Sequence, residues 1–400
     1  MDLCLTEHGE SAPVRLDGDA RSALLATARD KIEIQATADP ERVTLRTTSW
    51  VGVLSLPGHT IRVMPSAPME NLFTMFTAGL PGEGWSRDQV GWSRETSLVD
   101  GVAEFLLRSI DEATRRGLLH GYVTREEDLN VLRGRLLVDQ LATRPWAAAR
   151  PPCRFDDFTV DVPENRLLLC GVRQVLGWPD LPPLVRRDGL RLIDRFQGVT
   201  AVPPGSPEFD IPVTRLNEHY ASTMDLVRRA LEGITIRHLD GEQQAHAFMV
   251  DMDDLFRRWV TIELTQRLWP DISIDEQPLH ALDVHDQLHF TPDLLMRSGP
   301  TPVLVGDITY HLVSKGTESS GDGIYPLLTY ASALGLDAGL LVYAQADEPP
   351  ATELVVRSIG TRLLCVPLRL SVPPARLAGS LDTIAELIRV VAIGALAGPR

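Results

Sequence analysis

The chain has 400 residues, of which 44% are hydrophobic and 23% charged. A chain of this size and composition can bury large cores, which excludes global disorder and a disulfide-stapled scaffold, and its length predicts two or three domains. Its 54 acidic residues outnumber its 39 basic ones, giving a formal charge of −15. Because proteins that bind nucleic acid tightly on their own are usually basic, any contact with DNA must be local or made through a partner.

Targeting and redox signals favour the cytoplasm. The four cysteines are scattered, without the spacing of metal ligands or of a disulfide framework. The first ten residues are acidic and polar, so we expect no signal peptide. The most apolar segment, residues 388–398, carries Arg389 and is far shorter than the ~20 residues that cross a bilayer. We therefore expect a cytoplasmic protein that makes no contact with a membrane.

The sequence contains no nucleotide-binding P-loop. That motif needs a lysine between a glycine and a serine or threonine. Lys31 stands in Asp-Lys-Ile and Lys315 in Ser-Lys-Gly, and the chain has no other lysine. We therefore expect that it hydrolyses no nucleotide through a P-loop.

Residues 1–100 are predicted to form an N-terminal β-rich domain. Residues 51–56 and 60–64 are rich in β-branched and apolar residues and flank Pro57 and Gly58. A Pro-Gly turn between two such segments is typical of a β-hairpin.

Residues 101–240 are predicted to be a connecting region of helices and strands. Apolar residues recur at helical spacing in residues 97–120, and Pro163 is well placed in the first turn of another helix. The four prolines of residues 201–212 indicate a linker between helices predicted over about 183–196 and 215–232.

An arginine motif lies in the strand-like segment 129–141 of this region. Arg133 and Arg135 are two residues apart, a spacing that places both on one face of a strand. A contact with a motor protein or a phosphate would use such a pair. A salt-bridged surface pair would explain it equally well, and both interpretations stay open.

Residues 241–400 are predicted to form a separate α/β domain. Their elements are predicted as a helix, two strands, a helix and a strand over residues 252–268, 288–296, 303–313, 323–335 and 338–343. The segment carries 11 basic and 20 acidic residues, so it is poor in the cations that phosphate binding needs.

Two aspartates are predicted to face each other in this domain. In a hairpin whose turn is centred on Pro300, the numbers of facing residues add to 600, and Asp293 and Asp307 meet this condition. Their Cβ atoms would then lie about 4.5–5.5 Å apart. Carboxylates that close repel unless a cation lies between them, usually Mg²⁺. The sequence therefore predicts Asp293 and Asp307 as a catalytic and metal-binding pair.

The same residues resemble a nuclease motif. Proline-aspartate on one strand and aspartate-x-lysine on the next are the signature of PD-(D/E)xK nucleases, in which the acidic pair holds the metal and the lysine acts on the attacking water. Here Pro292 and Asp293 supply the first part, whereas Thr309 stands at the lysine position. Without wider context, Asp307 is equally well explained as a polar residue at a strand end.

Several short segments spread over most of residues 40–345 form an ordered set. They are VGVL and IRVMP at 51–54 and 61–65, LRGRL at 132–136, DVPENRLL at 161–168, MDDLF at 252–256, TPD at 291–293, GD at 306–307 and YPLLTY at 325–330. In sequence and order these segments resemble the McrC family, the nuclease subunit of McrBC-type modification-dependent restriction systems.

Three positions depart from the family pattern where the chemistry would occur. Arg257 replaces the glutamate that follows the Leu-Phe pair, Thr309 replaces the lysine, and Pro326 replaces the glutamine after Tyr325. Such residues act as a unit, so we expect an inactive nuclease centre. The substitutes that remain open are Asp253 or Asp254 for the carboxylate and His311 or Lys315 for the lysine.

The resemblance implies a mixed α+β fold, with a β-rich N-terminal domain (residues 1–100) that binds the partner, a helical middle segment and a C-terminal PD-(D/E)xK nuclease-like domain. It implies an accessory subunit of a prokaryotic anti-phage or restriction system that binds and stimulates a hexameric McrB-type AAA+ GTPase. DNA would be reached through that complex, Arg133 and Arg135 would contact the partner, and Mg²⁺ is the cofactor to consider. The alternatives are an active Mg²⁺-dependent endonuclease with a relocated lysine or carboxylate, and a binding module with a nuclease-like fold.

Overall fold

The structure is a computed structural model that describes residues 2–79, 98–144, 146, 149–178, 181–232, 234–238, 244–283, 285–310, 323–345, 351–357 and 359–397. The strands are β1 (Asp2–Thr6), β2 (Ile32–Ala36), β3 (Val43–Thr47), β4 (Trp50–Leu56), β5 (His59–Met64), β6 (Gly121–Asp128), β7 (Arg135–Leu136), β8 (Pro152–Thr159), β9 (Ile234–His238), β10 (Gln244–Asp251), β11 (Ser273–Glu276), β12 (His280–Ala281), β13 (His289–Phe290), β14 (Leu294–Ser298), β15 (Thr301–Thr309), β16 (Ala338–Gln345), β17 (Thr352–Val355) and β18 (Arg362–Arg369). The helices are α1 (Gly18–Ala28), α2 (Met69–Thr77), α3 (Leu98–Ala113), α4 (Val138–Thr143), α5 (Pro163–Leu176), α6 (Pro183–Arg195), α7 (Ala221–Glu232), α8 (Met252–Leu268), α9 (Ile324–Ala333) and α10 (Pro374–Ala397). The mixed α+β class expected from the sequence is confirmed.

The chain divides into two compact units. The first unit comprises residues 1–79, 237–245 and 249–400, and the second comprises residues 80–236 and 246–248. This division differs from the predicted domains 1–100, 101–240 and 241–400, because the N-terminal and C-terminal segments belong to the same unit.

The first unit contains a six-stranded mixed sheet of order β11-β14-β15-β16-β18-β17. β14 pairs antiparallel with β11 and β15, whereas β15, β16 and β18 run parallel. The central strands are nearly continuous apolar sequence, as parallel strands covered on both faces require. Leu304, Val305 and Leu340, for example, have no exposed surface.

The β14–β15 hairpin has the register expected from the sequence. Leu294 pairs with Gly306, Leu295 with Val305 and Met296 with Leu304, and each pair of numbers adds to 600. The register shifts by one residue nearer the turn, between Met296 and Arg297. The turn itself uses Gly299 at φ +60°, a left-handed conformation that glycine adopts without steric cost. The pairing is shorter than the predicted strands 288–296 and 303–313.

Helix α9 covers one face of this sheet and fixes the direction of the acidic side chains. Leu327 and Ala331 of α9 pack in one buried cluster with Leu295 and Val305. Side chains two residues apart on a strand share a face. Asp307 therefore points to the same side of the sheet as Val305, toward α9.

The N-terminal segment is built into the same unit. β4 and β5 form the predicted hairpin, and β1 adds to β5 in parallel in a five-stranded sheet of order β1-β5-β4-β10-β9. The buried hydroxyl of Tyr310 donates to Glu7 Oε1 at 2.8 Å. The side-chain amide of Asn71 in α2 donates to the backbone carbonyls of Leu370 and Val372 at 2.6 and 2.7 Å. The N-terminal segment thus completes the hydrogen bonding of groups near the sheet's ends.

Helix α10 is the longest described helix. Leu377, Leu381, Ile384 and Ile388 recur three or four residues apart and are buried, so α10 presents one apolar face to α8 and the sheet. In the described part of the chain, no helix is long and apolar enough to span a membrane.

The second unit combines packed helices with a three-stranded sheet. α5 packs against α3, α6 and α7, and the sheet has the order β6-β8-β7. α5 begins at Pro163, as predicted. Just before it, Asp161 accepts hydrogen bonds from Arg166 at 2.8 and 3.0 Å and from Thr200 at 2.8 Å. This buried ion pair joins the start of α5 to the loop after α6.

We predict that the first unit does not fold stably in a chain beginning at residue 80. It would lose β4 beside β10, the Glu7 partner of Tyr310 and the Asn71 amide. A buried polar group without its partner costs about 1–3 kcal/mol, and several are lost together. Because the second unit stays whole, thermal unfolding followed by circular dichroism should show the loss of the part of the cooperative transition that comes from the first unit. Asn71→Ala in the full chain is the milder comparison, expected to cost about 1–3 kcal/mol. A truncated chain that keeps the whole transition at the full chain's temperature would contradict the prediction.

A second prediction concerns the pH dependence of the second unit. Hydrogen bonds from Arg166 lower the pKa of Asp161 from 3.8 to about 2. A depressed native pKa adds stability that is complete above the unfolded value and is lost as pH falls through the native one. Asp161→Asn should therefore cost roughly 2 kcal/mol at neutral pH. The difference between the two proteins should vanish near about pH 2. Urea titrations over this pH range measure it, and a difference independent of pH would contradict the assignment.

Candidate functional site

The two predicted aspartates meet at the open end of the β14–β15 hairpin. Asp293 directly precedes β14, and Asp307 lies near the end of β15. The backbone N–H of Ile308 donates to Asp293 Oδ2 at 2.8 Å, which holds the Asp293 carboxylate against β15. The structure therefore brings together Asp293 and Asp307, the two aspartates that the predicted hairpin register places opposite each other.

The environment keeps Asp307 from ionising fully. Burial raises the pKa of Asp307 to about 7, and the negative charge of Asp293 and a hydrogen bond with it act in the same direction. The positive charge of Arg257 opposes these effects. Near neutral pH Asp307 is therefore protonated for much of the time.

The positive charge at this site comes from α8. Arg257 Nε lies 3.3 Å from Asp293 Oδ1, and Nη1 lies 3.6 Å from Asp254 Oδ1. The helix is fixed locally, because the Asp251 side chain caps it by accepting from the N–H of Asp253 and because Phe256 is fully buried. Arg257 lies in the second turn of α8, and the anchored N-terminal end of this helix holds it beside the two carboxylates.

Two aromatic rings border the acidic pair. Tyr330 of α9 stacks on Phe290 with ring centroids 5.1 Å apart and planes inclined by 10°. Burial raises the pKa of Tyr330, and the charges of Asp307 and Asp293 raise it further. The Tyr330 hydroxyl is thus a neutral group near the carboxylates and is no source of positive charge.

The remaining candidate residues divide into three groups. Thr309 is the last residue of β15, and Pro326 lies in the first turn of α9, where a missing N–H breaks no helical hydrogen bond. Of the proposed carboxylate substitutes, Asp254 contacts Arg257, whereas the charge of Asp253 acts on the buried Tyr310. The lysine substitutes His311 and Lys315 lie outside the described residues.

The arginine motif does not project from a single face. Arg135 pairs with Arg154 across β7 and β8, on one face of the sheet. Arg133 instead lies 4.3 Å over the ring of Phe155 and 3.0 Å from Asp157 Oδ1, on the opposite face. The prediction of a common face was wrong because Gly134 has φ +67° and breaks the strand alternation. A Cβ at Gly134 would lie 2.3 Å from the Arg154 carbonyl oxygen, so this position requires glycine.

The fit of this site to a Mg²⁺ ion is limited by charge, because an ion bound to Asp293 would lie next to the Arg257 guanidinium. Mg²⁺ takes six oxygen ligands in near-octahedral geometry, several of them usually waters, and one or two carboxylates can hold it. Among the described residues, no group of three or more histidine, cysteine, aspartate or glutamate side chains could hold a metal ion. Both oxygens of Asp293 already have partners, one of them the Arg257 guanidinium. This arrangement supplies a hydrogen-bonded, charge-compensated pair and no cation cage.

The sequence matches one protein family over residues 45–344, the McrBC 5-methylcytosine restriction system component family. The chain belongs to that family. The match spans the β4–β5 hairpin, the arginine motif, the start of α5, α8 and the acidic hairpin. It therefore includes every segment in which the resemblance to McrC was noted, up to β16. A comparison with curated proteins found no match.

One solved structure supports the fold of this family member. It is similar, with a TM-score of 0.62 and 18% identity, to a chain from a structure described as a half-complex from the tetradecameric assembly of Thermococcus gammatolerans McrB AAA+ hexamers with bound McrC. The likeness covers 96% of this chain and 100% of that one. A second likeness, to a chain of the T. gammatolerans McrBC complex, has a TM-score of 0.44 at 19% identity and covers 67% of this chain and 88% of that one.

Sequence reasoning missed the partner of Asp293. Helical spacing alone places Arg257 beside the aspartates one turn earlier, and the structure pairs it with Asp254. Its contact with Asp293, 36 residues further along the chain, has no signature in local spacing. The one available signal was the positive charge of Arg257, because an acidic pair needs a cation and residues 241–400 contain few basic residues.

We predict that Asp307→Asn stabilises the protein in mildly alkaline solution. Because the native pKa of Asp307 is raised to about 7, stability is lost as pH rises from the unfolded value of 3.8 through the native one. The neutral amide removes this loss. The variant should be more stable by at least about 1 kcal/mol at about pH 8, and the gain should disappear near about pH 4. Thermal melts over this range test it, and a destabilised variant at alkaline pH would contradict it.

Proposed function

We propose that the chain is an McrC-like accessory subunit that binds and stimulates a McrB-type AAA+ GTPase hexamer in a restriction or anti-phage system. Membership of the McrBC family supports the system. The lack of a P-loop supports the accessory role, since neither lysine of the chain stands in that motif. The likeness over the whole length of a chain from an McrB–McrC complex agrees with this assignment.

We further propose that the six-stranded sheet of the first unit is a PD-(D/E)xK nuclease-like core. The support is the order of its elements. The antiparallel hairpin of β14 and β15 carries the acidic residues. Helix α9 follows in the chain and packs on these two strands. Strand β16 comes next and pairs with β15 in parallel. Asp293 and Asp307 occupy the positions of the motif's two acidic residues.

The nuclease centre of this subunit is proposed to be inactive. The observation that carries this conclusion is the guanidinium of Arg257 3.3 Å from Asp293 Oδ1. A catalytic centre of this class needs a divalent ion to stabilise charge and a base to act on water. Here Arg257, which stays protonated, lies beside the carboxylate of Asp293 where the divalent ion would be bound. Thr309 stands at the position of the lysine that would act on water.

Contact with the motor is proposed for the arginine motif. The structure gives the two arginines different roles. Arg133 is engaged by Asp157 and Phe155 and shapes the loop, whereas Arg135 is exposed and forms no ion pair with any described residue. Arg135 is therefore the residue that offers a charge to a partner.

The central experiment measures GTP hydrolysis by a McrB-type motor from the same genome with and without this chain, together with cleavage of modified DNA in Mg²⁺. We expect stimulated hydrolysis and no cleavage that depends on the acidic pair. Asp307→Asn should leave the stimulation intact. Cleavage that disappears in Asp307→Asn would favour the alternative, an active Mg²⁺-dependent endonuclease with a relocated lysine or carboxylate. Unchanged hydrolysis would refute the accessory role.

A further prediction separates the two arginines. Arg135→Glu should weaken binding to the motor at least about tenfold, as expected when a charge that meets its complement is reversed. Arg215→Glu, at an exposed arginine elsewhere in the second unit, is the matched control with the same charge change. Titrations of labelled motor with each variant measure the difference. Equal affinities for the two variants would remove the arginine motif from the interface.

A further inference from the structure

The acidic pair already has a cation that belongs to the chain. The Arg257 guanidinium lies between carboxylates from two elements, Asp254 of its own helix at 3.6 Å and Asp293 of the hairpin at 3.3 Å. The Asp293 side chain is only 12% exposed, so water screens this contact less than it screens a surface ion pair.

Each oxygen of Asp293 already has a partner, and one of these partners is positively charged. Its Oδ1 is the atom nearest to Arg257 Nε, and its Oδ2 accepts the N–H of Ile308 at 2.8 Å. A metal ion bound by Asp293 and Asp307 would have to displace the guanidinium or approach it closely. A divalent ion beside a fixed guanidinium is strongly repelled.

The helix that carries the guanidinium is anchored in the core of the first unit. This helix is α8, in which the neighbouring residues Phe256 and Trp259 are buried. The Arg257 side chain is itself 31% exposed, and Asp254 holds it from the solvent side. Arg257 is therefore positioned by the fold as the counter-charge of this site.

We propose that Arg257 is the resident cation of the site and that the chain binds no divalent metal ion at Asp293 and Asp307. The guanidinium supplies the attraction between α8 and the β14–β15 hairpin that a metal ion would otherwise supply. A corollary is that one substitution converts the site. Replacing Arg257 by an acidic residue should create a divalent-ion site from three carboxylates. This inference does not depend on whether the chain stimulates a motor.

The test is a titration of the full chain with Mn²⁺, in which loss of the free-ion electron paramagnetic resonance signal reports binding. Four proteins are compared: wild type, Arg257→Glu, Arg257→Gln and the matched control Arg258→Glu, an exposed neighbour with the same charge change. Each is also prepared with Asp307→Asn, so that binding at this site is separated from binding elsewhere. Circular dichroism shows that each variant is folded.

We expect the wild type and Arg258→Glu to bind no Mn²⁺ that depends on Asp307. Arg257→Glu should gain one site at least about tenfold tighter than any binding by Arg258→Glu, since a repelling charge becomes an attracting one. If that variant does not fold, Arg257→Gln should show the same gain with lower affinity. Asp307-dependent binding by the wild type would overturn the proposal. So would a folded Arg257→Gln or Arg257→Glu that gains no site.

Discussion

Two carboxyl groups at the ends of neighbouring strands lie close together and are partly removed from water. Their negative charge must be compensated, and the rest of the site depends on this constraint. Asp293 and Asp307 are brought together by the register of the hairpin, in which Leu294 pairs with Gly306, and burial makes the ionisation of Asp307 unfavourable. The fold meets this constraint in two ways. Asp307 holds its proton to an unusually high pH, and Arg257 brings a permanent positive charge to Asp293. The chemistry open to the site follows from this compensation.

The N-terminal segment and the acidic hairpin belong to one structural unit, which bears on how an accessory subunit can work. Tyr310 lies three residues after Asp307 and directly follows β15, and its hydroxyl is held by Glu7. Asp251, which caps α8, also accepts a hydrogen bond from Ser49 at 3.1 Å. The C-terminal end of β15 and the N-terminal end of α8 are thus both hydrogen-bonded to residues of the N-terminal segment. A partner that moved this segment would act on the end of β15 and on the cap of α8.

Local pattern predicted much of this fold, and long-range contact explains what it did not. The bounds of α8, the start of α5 at Pro163 and the register of the acidic hairpin follow from periodicity, proline position and a turn centre, all of which are local. The prediction that Arg133 and Arg135 share one face was wrong because Gly134 between them has a positive φ. The alternation of side chains along a strand gives no indication of such an angle. The grouping of residues 1–79 with 249–400 and the contact of Arg257 with Asp293 depend on contacts between distant segments. A single sequence carries no direct sign of such contacts.

The central claim is that a guanidinium stands where a metal ion would otherwise compensate the acidic pair. The most direct test is a crystal structure of the wild-type chain grown with millimolar Mn²⁺, with anomalous diffraction data collected to locate manganese. The account predicts no anomalous peak between Asp293 and Asp307, with the Arg257 guanidinium within ion-pair distance of Asp293. A manganese peak bridging the two carboxylates, with Arg257 turned away, would contradict it.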